Sequence, residues 1–326
     1  MRLCVSWRWR RGRCRGPWRG GGCAQWSCAP PAWSTSSRRE KRSRVSVAVV
    51  TDSTSYLPEH LARDRGIDVV PLQVVIGGTA YDEGGDASPA AVAEALHSWT
   101  PVTTSRPAPA TFAEAYQRAA DAGFDGVVSV HLSSRMSGTV ESAGLAAKEA
   151  PLRVEVVDSR SLGMGLGFAV LSAAHSAAGG AGVDDVAAAA RCRAEASTVL
   201  FYVDTLEHLR RGGRIGPAAA LLGSAFAVKP LLQLVDGQIQ PLEKVRTSTR
   251  AIARLEELAA ARAGASRSDV AVHHLANQAR ADALAGRLRS RLPGLGDLYV
   301  REVGAVVGAH VGPGMLAVVV APSTGR

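Results

Sequence analysis

The stretch HLSSRMSGT, residues 131–139, places Ser133, Ser134, Ser137 and Thr139 within seven residues, with Gly138 among them and no acidic side chain. It follows the apolar run 126–130, GVVSV, which reads as a buried strand. Two other hydroxyl-rich stretches occupy comparable places, Asp52-Ser53-Thr54-Ser55 and Thr103-Thr104-Ser105. Hydroxyls and the free amides of a helix start can hold a carboxylate or phosphate without a fixed cation. Each stretch alone also reads as a helix cap or a turn, and their recurrence favours a small anionic group. His310 sits in the nearly uncharged run GAVVGAHVGPG (304–314), where glycines permit close backbone approach and the imidazole can donate to an acid; a satisfied core histidine is its alternative role. Arg214, in the turn GGRIG (212–216), can neutralise one; a surface or interdomain ion pair is its plainer role.

Other chemistry finds less support. No Gly-x-Ser-x-Gly is present for a serine hydrolase. Gly163-Met-Gly-Leu-Gly167 lacks the spacing of a dinucleotide loop and reads as helix packing. His273-His274 have no metal-ligand spacing around them and read as structural. Asp82, Glu83 and Asp86 could meet a cation but read more simply as a solvated loop. Cys4, Cys14, Cys23 and Cys28 lack a CxxC pair. No catalytic residue, metal or cofactor is therefore assigned.

Alternating elements must position these groups. Strands are expected at 45–50, 126–132, 154–157, 199–203, 269–275, 297–303 and 315–321, with a further apolar segment at 67–76. Helices are expected at 88–98, 111–122, 139–149, 184–197, 217–226, 248–262 and 278–291. Residues 99–108 read as a Pro-rich loop, and Asp236-Gly237 as a hairpin turn. The alternation predicts α/β architecture with mostly parallel sheets, in domains at 45–160 and 161–326. Residues 161–183 carry no Asp, Glu, Lys or Arg, yet are mostly Gly, Ala and Ser. They read as a buried helix beside an apolar cavity rather than as an integral membrane segment.

The formal net charge of +9 comes from one end. Residues 1–44 hold 12 Lys or Arg and one acid; the rest holds 26 basic and 28 acidic residues. A near-neutral body gives no reason to expect a nucleic-acid partner. The first 44 residues, with five of the six Trp and four of the five Cys, read as a disordered tail or a misassigned start, and not as a secretory signal. A single Cys in the body suits a reducing cytoplasm.

Eight blocks in order, VAVVTDSTSYLP (47–58), TTSRPAP (103–109), LSSRMSGT (132–139), VVDSRSLGMGLG (156–167), LEHLRRGGRI (206–215), VKPLLQLVDGQI (228–239), EKVRT (243–247) and GAVVGAHVGPG (304–314), resemble the DegV family. The resemblance implies two α/β domains with one long-chain fatty acid buried between them. It implies a carrier that presents the acid to a separate fatty acid kinase for acyl-phosphate formation. By the same resemblance Thr104 and Ser134 hold the carboxylate, His310 and Arg214 lie near it, and Arg246 meets the kinase. Arg106 stands where the family often has Gln. A lipid-sensing regulator, and an α/β enzyme acting on a phosphorylated or acyl substrate, are the alternative readings.

Overall fold

The computed structural model describes residues 45–85, 88–98, 100–221 and 229–323. The expectations for residues 1–44 and their cysteines, for Asp86 and for the end of a helix at 217–226 lie outside them. In chain order the elements are β1 (Val47–Asp52), α1 (Glu59–Asp64), β2 (Ile67–Val70), β3 (Gln73–Ile76), β4 (Thr79–Asp82), α2 (Pro89–His97), β5 (Val102–Ser105) and α3 (Pro109–Asp121). Then follow β6 (Gly126–His131), α4 (Thr139–Ala147), β7 (Arg153–Asp158), α5 (Met164–Ala178), α6 (Val183–Ala196), β8 (Thr198–Tyr202) and α7 (Glu207–Arg211). The remainder is β9 (Lys229–Val235), β10 (Gln238–Val245), α8 (Ser248–Ala263), β11 (Ser268–His274), α9 (Gln278–Arg291), β12 (Leu295–Glu302), α10 (Ala305–Val311) and β13 (Leu316–Pro322).

The first sheet, β2-β1-β6-β7, is parallel throughout. Its central strands VAVVTD and GVVSVH are buried at every position, as a sheet covered on both faces requires. Phe112 and Tyr116 of α3 and Ala143 of α4 cover one face. The apolar sides of α5 and α6 cover the other. The second sheet, β10-β9-β8-β13-β11-β12, departs from the parallel expectation. Only β11 and β12 run parallel; the other neighbours are antiparallel. The hairpin turn is the local reason at one edge. Asp236 and Gly237 both have positive φ, 49° and 76°, which suits the twist of adjacent antiparallel strands.

All of the parallel sheet precedes residue 160 and all of the six-stranded sheet follows it. Residues 43–326 nevertheless form one compact unit. The reason is α5. Ten of its fifteen residues are buried, and its small side chains let it lie against β1 and β6 on one side and β13 on the other. No helix among the described residues is long and apolar enough to cross a membrane.

Three local expectations change. The 67–76 segment divides at Pro71, where a missing amide ends β2, so that β3 joins a different sheet. Residues 99–108 hold a strand, β5, because the β-branched pair Thr103-Thr104 lies between Pro101 and Pro107. Its antiparallel partner β3 also pairs with β4. The glycine-rich run at 304–314 contains a helix, α10, with glycines at its ends: Gly304 precedes it and Gly312 closes it at φ 75°.

Candidate functional site

Thr104 is aimed inward by strand alternation: it is half-buried, and its neighbours Thr103 and Ser105 are exposed. Helix α10 packs against β3 and β5 and brings His310 to it. Thr104 Oγ1 and His310 Nε2 are 2.9 Å apart. The Nδ1 of His310 is buried without a partner, held against the Gly212 backbone so closely that a Cβ there would lie 2.0 Å away. An orphaned N–H is the costlier choice for that position. The ring proton is therefore assigned to Nε2, which donates to Thr104 Oγ1. This leaves the Thr104 hydroxyl hydrogen free for an acceptor. Burial, and then the nearby Arg214 cation, push His310 down to about 4, so the imidazole is neutral at pH 7.

The pair stands at one end of a narrow void of about 70 Å³, with Ser137, Arg106 and Arg214 also lining that end. Arg214 is exposed; its Nε donates to Met136 O at 3.1 Å and its Nη1 to Gly212 O at 2.7 Å. Arg106 pairs with Glu141 at 2.6 Å. Leu162, Ile239, Val307 and Val311 continue the wall into a second void of about 40 Å³. There the lining is apolar except for His273. His273 is already committed: Nε2 accepts from Met164 N at 2.9 Å, and Nδ1 donates to Arg301 O at 3.2 Å. Thr104, Arg214 and His310 also border an outer groove of about 380 Å³, which His208 and Arg211 line. The arrangement is a polar end, open to a cationic groove, on an otherwise apolar passage.

Ser134 is not brought to this end. It is exposed, its hydroxyl donates to Asp158 Oδ2 at 2.5 Å, and its amide lies 3.3 Å from Asp158 Oδ1. The reason is the turn closed by Met136 N and Ser137 N on Ser133 O. It points Ser133 at Gly237 O, Ser134 at the end of β7, and Met136 with Ser137 at the void. Ser137 also does not cap α4, whose N-cap is Gly138; its Oγ meets Thr139 Oγ1 at 2.8 Å. Met136, the one apolar side chain between Ser133 and Gly138, was the available signal for which part of the loop turns inward. Arg246 lies just past β10 and is exposed; it lines neither void, and no side-chain partner is seen for it among the described residues.

The first hydroxyl stretch is structural. Asp52 is fully buried; Oδ1 accepts from Thr54 N and Oγ1, and Oδ2 from Leu132 N and His131 Nδ1 at 2.9 and 3.0 Å. His131 Nε2 then accepts from Ser129 Oγ at 2.6 Å, and Tyr116 OH donates to Ser129. The order Ser-His-Asp matches a hydrolase, but all three side chains are sealed from solvent, so the network fixes the strand ends instead. Glu83 corrects the solvated-loop reading. It is buried, accepts from Ser53 Oγ at 2.6 Å and Val306 N at 2.8 Å, and ties β4 to α10. Burial raises its carboxyl above the usual range.

Acid is expected to destabilise the fold between about pH 6.5 and 4. Burial lowers both His273 and His310 to about 4. Below 6.5 the unfolded chain binds protons that the folded one refuses, so stability falls as pH falls. The two together contribute a loss on the order of a few kcal/mol. Glu83 acts in the opposite sense, since its raised carboxyl binds a proton more readily when folded. Melts from pH 8 to 4.5 check this. His273→Gln, which can keep both hydrogen bonds, should flatten the profile; superimposable profiles would remove His273 as the cause.

A family model described as "Uncharacterised protein, DegV family" matches residues 46–323. A DegV domain-containing protein of Streptomyces coelicolor is 59% identical over 274 residues, covering 84% of this chain and 98% of that one. Among solved structures, a DegV family protein from Thermus thermophilus described as fatty acid binding aligns with TM-score 0.82 and 34% identity, over 86% of this chain and 100% of that one. DegV from Bacillus subtilis, described as a fatty acid binding protein, aligns with TM-score 0.79 and 32% identity over the same shares. With the match running from β1 to the end of β13, the chain belongs to the DegV family.

Proposed function

We propose that the chain binds one long-chain fatty acid and presents its carboxylate to a separate fatty acid kinase. The observation that carries this reading is the Thr104–His310 pair at the polar end of the apolar passage. A buried carboxylate has to be hydrogen-bonded or protonated. Thr104 and Ser137 supply hydroxyl donors and Arg214 a cation; neutral His310 fixes the Thr104 hydroxyl. The tail occupies the apolar part, where each buried methylene contributes about 0.8 kcal/mol before the cost of ordering the chain. The fatty-acid-binding relatives from Thermus thermophilus and Bacillus subtilis support the ligand class. The outer groove supports presentation, because an acceptor oxygen at Thr104 borders a surface that a phosphoryl donor can approach. Carriage in the cytoplasm, without a cofactor or catalytic residue of its own, completes the proposal.

Native mass spectrometry of the purified chain tests the first half. The expected result is an added mass equal to one long-chain fatty acid, lost on delipidation and regained with the free acid. A chain that stays at its bare mass with excess palmitate present would reject the reading. Arg246 tests the second half. Arg246→Ala is expected to leave fatty acid affinity unchanged and to weaken kinase-dependent phosphorylation. Equal loss of both would place Arg246 in the binding site or the core.

A further inference from the structure

A second cavity, of about 70 Å³, lies at the junction of the two sheets and shares no lining residue with the acyl passage. Arg193 of α6 forms its inner wall. The Arg193 side chain is only 4% exposed and lies over the Phe168 ring at 5.5 Å. Its Nη2 donates to Asp269 Oδ2 at 2.5 Å. Its Nη1 is buried with no hydrogen-bond partner. Asp269 cannot serve both nitrogens, because its Oδ1 already accepts from Asp297 N and Ser323 Oγ, each at 2.9 Å. A buried guanidinium that is half satisfied calls for another acceptor.

The rest of the cavity is built for such an acceptor. Arg65, which follows α1, and Arg267, which precedes β11, stand exposed at its rim, and neither forms an ion pair among the described residues. His175 on α5 adds a ring nitrogen to the lining; the Ser323 hydroxyl also lines it but is committed to Asp269. Three arginines thus face two aspartates, one of which, Asp269, is saturated by its present partners. Guanidinium groups pair with tetrahedral and planar oxyanions through two parallel N–H donors.

We propose that this cavity binds a small phosphate-class oxyanion, held by Arg193 within and by Arg65 and Arg267 at the rim. The anion joins α6 and the end of α1, which belong with the parallel sheet, to β11 of the six-stranded sheet. Binding therefore stabilises the junction on which the fold depends. The same chemistry is available from free phosphate or from a phosphorylated lipid headgroup.

The test uses the full chain with inorganic phosphate in calorimetry and thermal melts, against chloride at equal ionic strength. A parallel arm uses vesicles of phosphatidylglycerol in phosphatidylcholine, scored by flotation. Phosphate is expected to raise the melting temperature beyond the chloride control. Arg267→Ala and Arg65→Ala should each weaken phosphate binding about fivefold or more, with melting in chloride and palmitate binding unchanged. Arg193→Gln should abolish the phosphate response, and the two rim variants keep the test valid if it fails to fold. Flotation that Arg267→Ala removes, with no response to free phosphate, would assign the headgroup as the source. No response in either arm, or a response equal in parent and rim variants, overturns the proposal.

Discussion

Thr104→Val is expected to weaken binding of a long-chain fatty acid by about ten- to a hundredfold, and Ser137→Ala to do likewise. The estimate follows from one lost hydrogen bond to a charged group, worth roughly 1.5–3 kcal/mol. Valine keeps the shape of Thr104 and removes only the hydroxyl, so the apolar passage is not disturbed. It also strips His310 Nε2 of its partner at 2.9 Å, which adds a stability cost of about 1 kcal/mol that a melt reads separately. Ser134→Ala is the internal control. Its hydroxyl is spent on Asp158, so affinity should stay within about twofold of the parent. A fatty alcohol lacks the carboxylate, and the two site substitutions should affect it far less. The measurement is a binding series of palmitate and hexadecanol against the three variants. If Ser134→Ala loses the acid and Ser137→Ala does not, the polar end has been assigned to the wrong side of the turn. Because Thr104 and Ser137 meet one group, the double variant should lose less than the sum of the two.

How far these residues could be read from the chain depends on what positions each. The parallel sheet was legible because VAVVTD and GVVSVH are continuous apolar runs with helical periods between them. The antiparallel order of the second sheet was not. An apolar run such as LAVVVAP is the same in either direction, and β13 pairs with β8 and β11, which are distant in sequence. Thr104 was named only through the family resemblance, because 99–108 reads as a loop; the alternation of β5 is what turns it inward. Ser134 and Ser137 were not separable. Both are serines at the mouth of one loop, and their directions are set by tertiary partners, Asp158 for one and the void for the other. The role of Glu83 was hidden for the same reason: what makes it structural is the amide of Val306, 223 residues away.

Cutting the passage should have the largest effect of all. Val307 and Val311, one turn apart on α10, line both voids, as do Leu162 and Ile239. Val307→Phe places a ring where the two meet. Palmitate then loses the inner segment for its terminal methylenes. At about 0.8 kcal/mol each, four or more displaced methylenes amount to a loss of at least about a hundredfold in affinity. Octanoate, which needs only the outer segment, should bind within a few-fold of the parent, so the preference for long chains collapses. The ring enters space that is already empty, and the overpacking cost is expected at the low end of about 1–3 kcal/mol. Leu162→Phe, from the segment that precedes α5, should reproduce the pattern without a change in α10. A series from octanoate to stearate, run on both variants with melts alongside, separates the causes. A uniform loss at every chain length would mean that the head-group end has moved. Unchanged palmitate affinity in both variants would mean that the tail does not run between Leu162 and Val307.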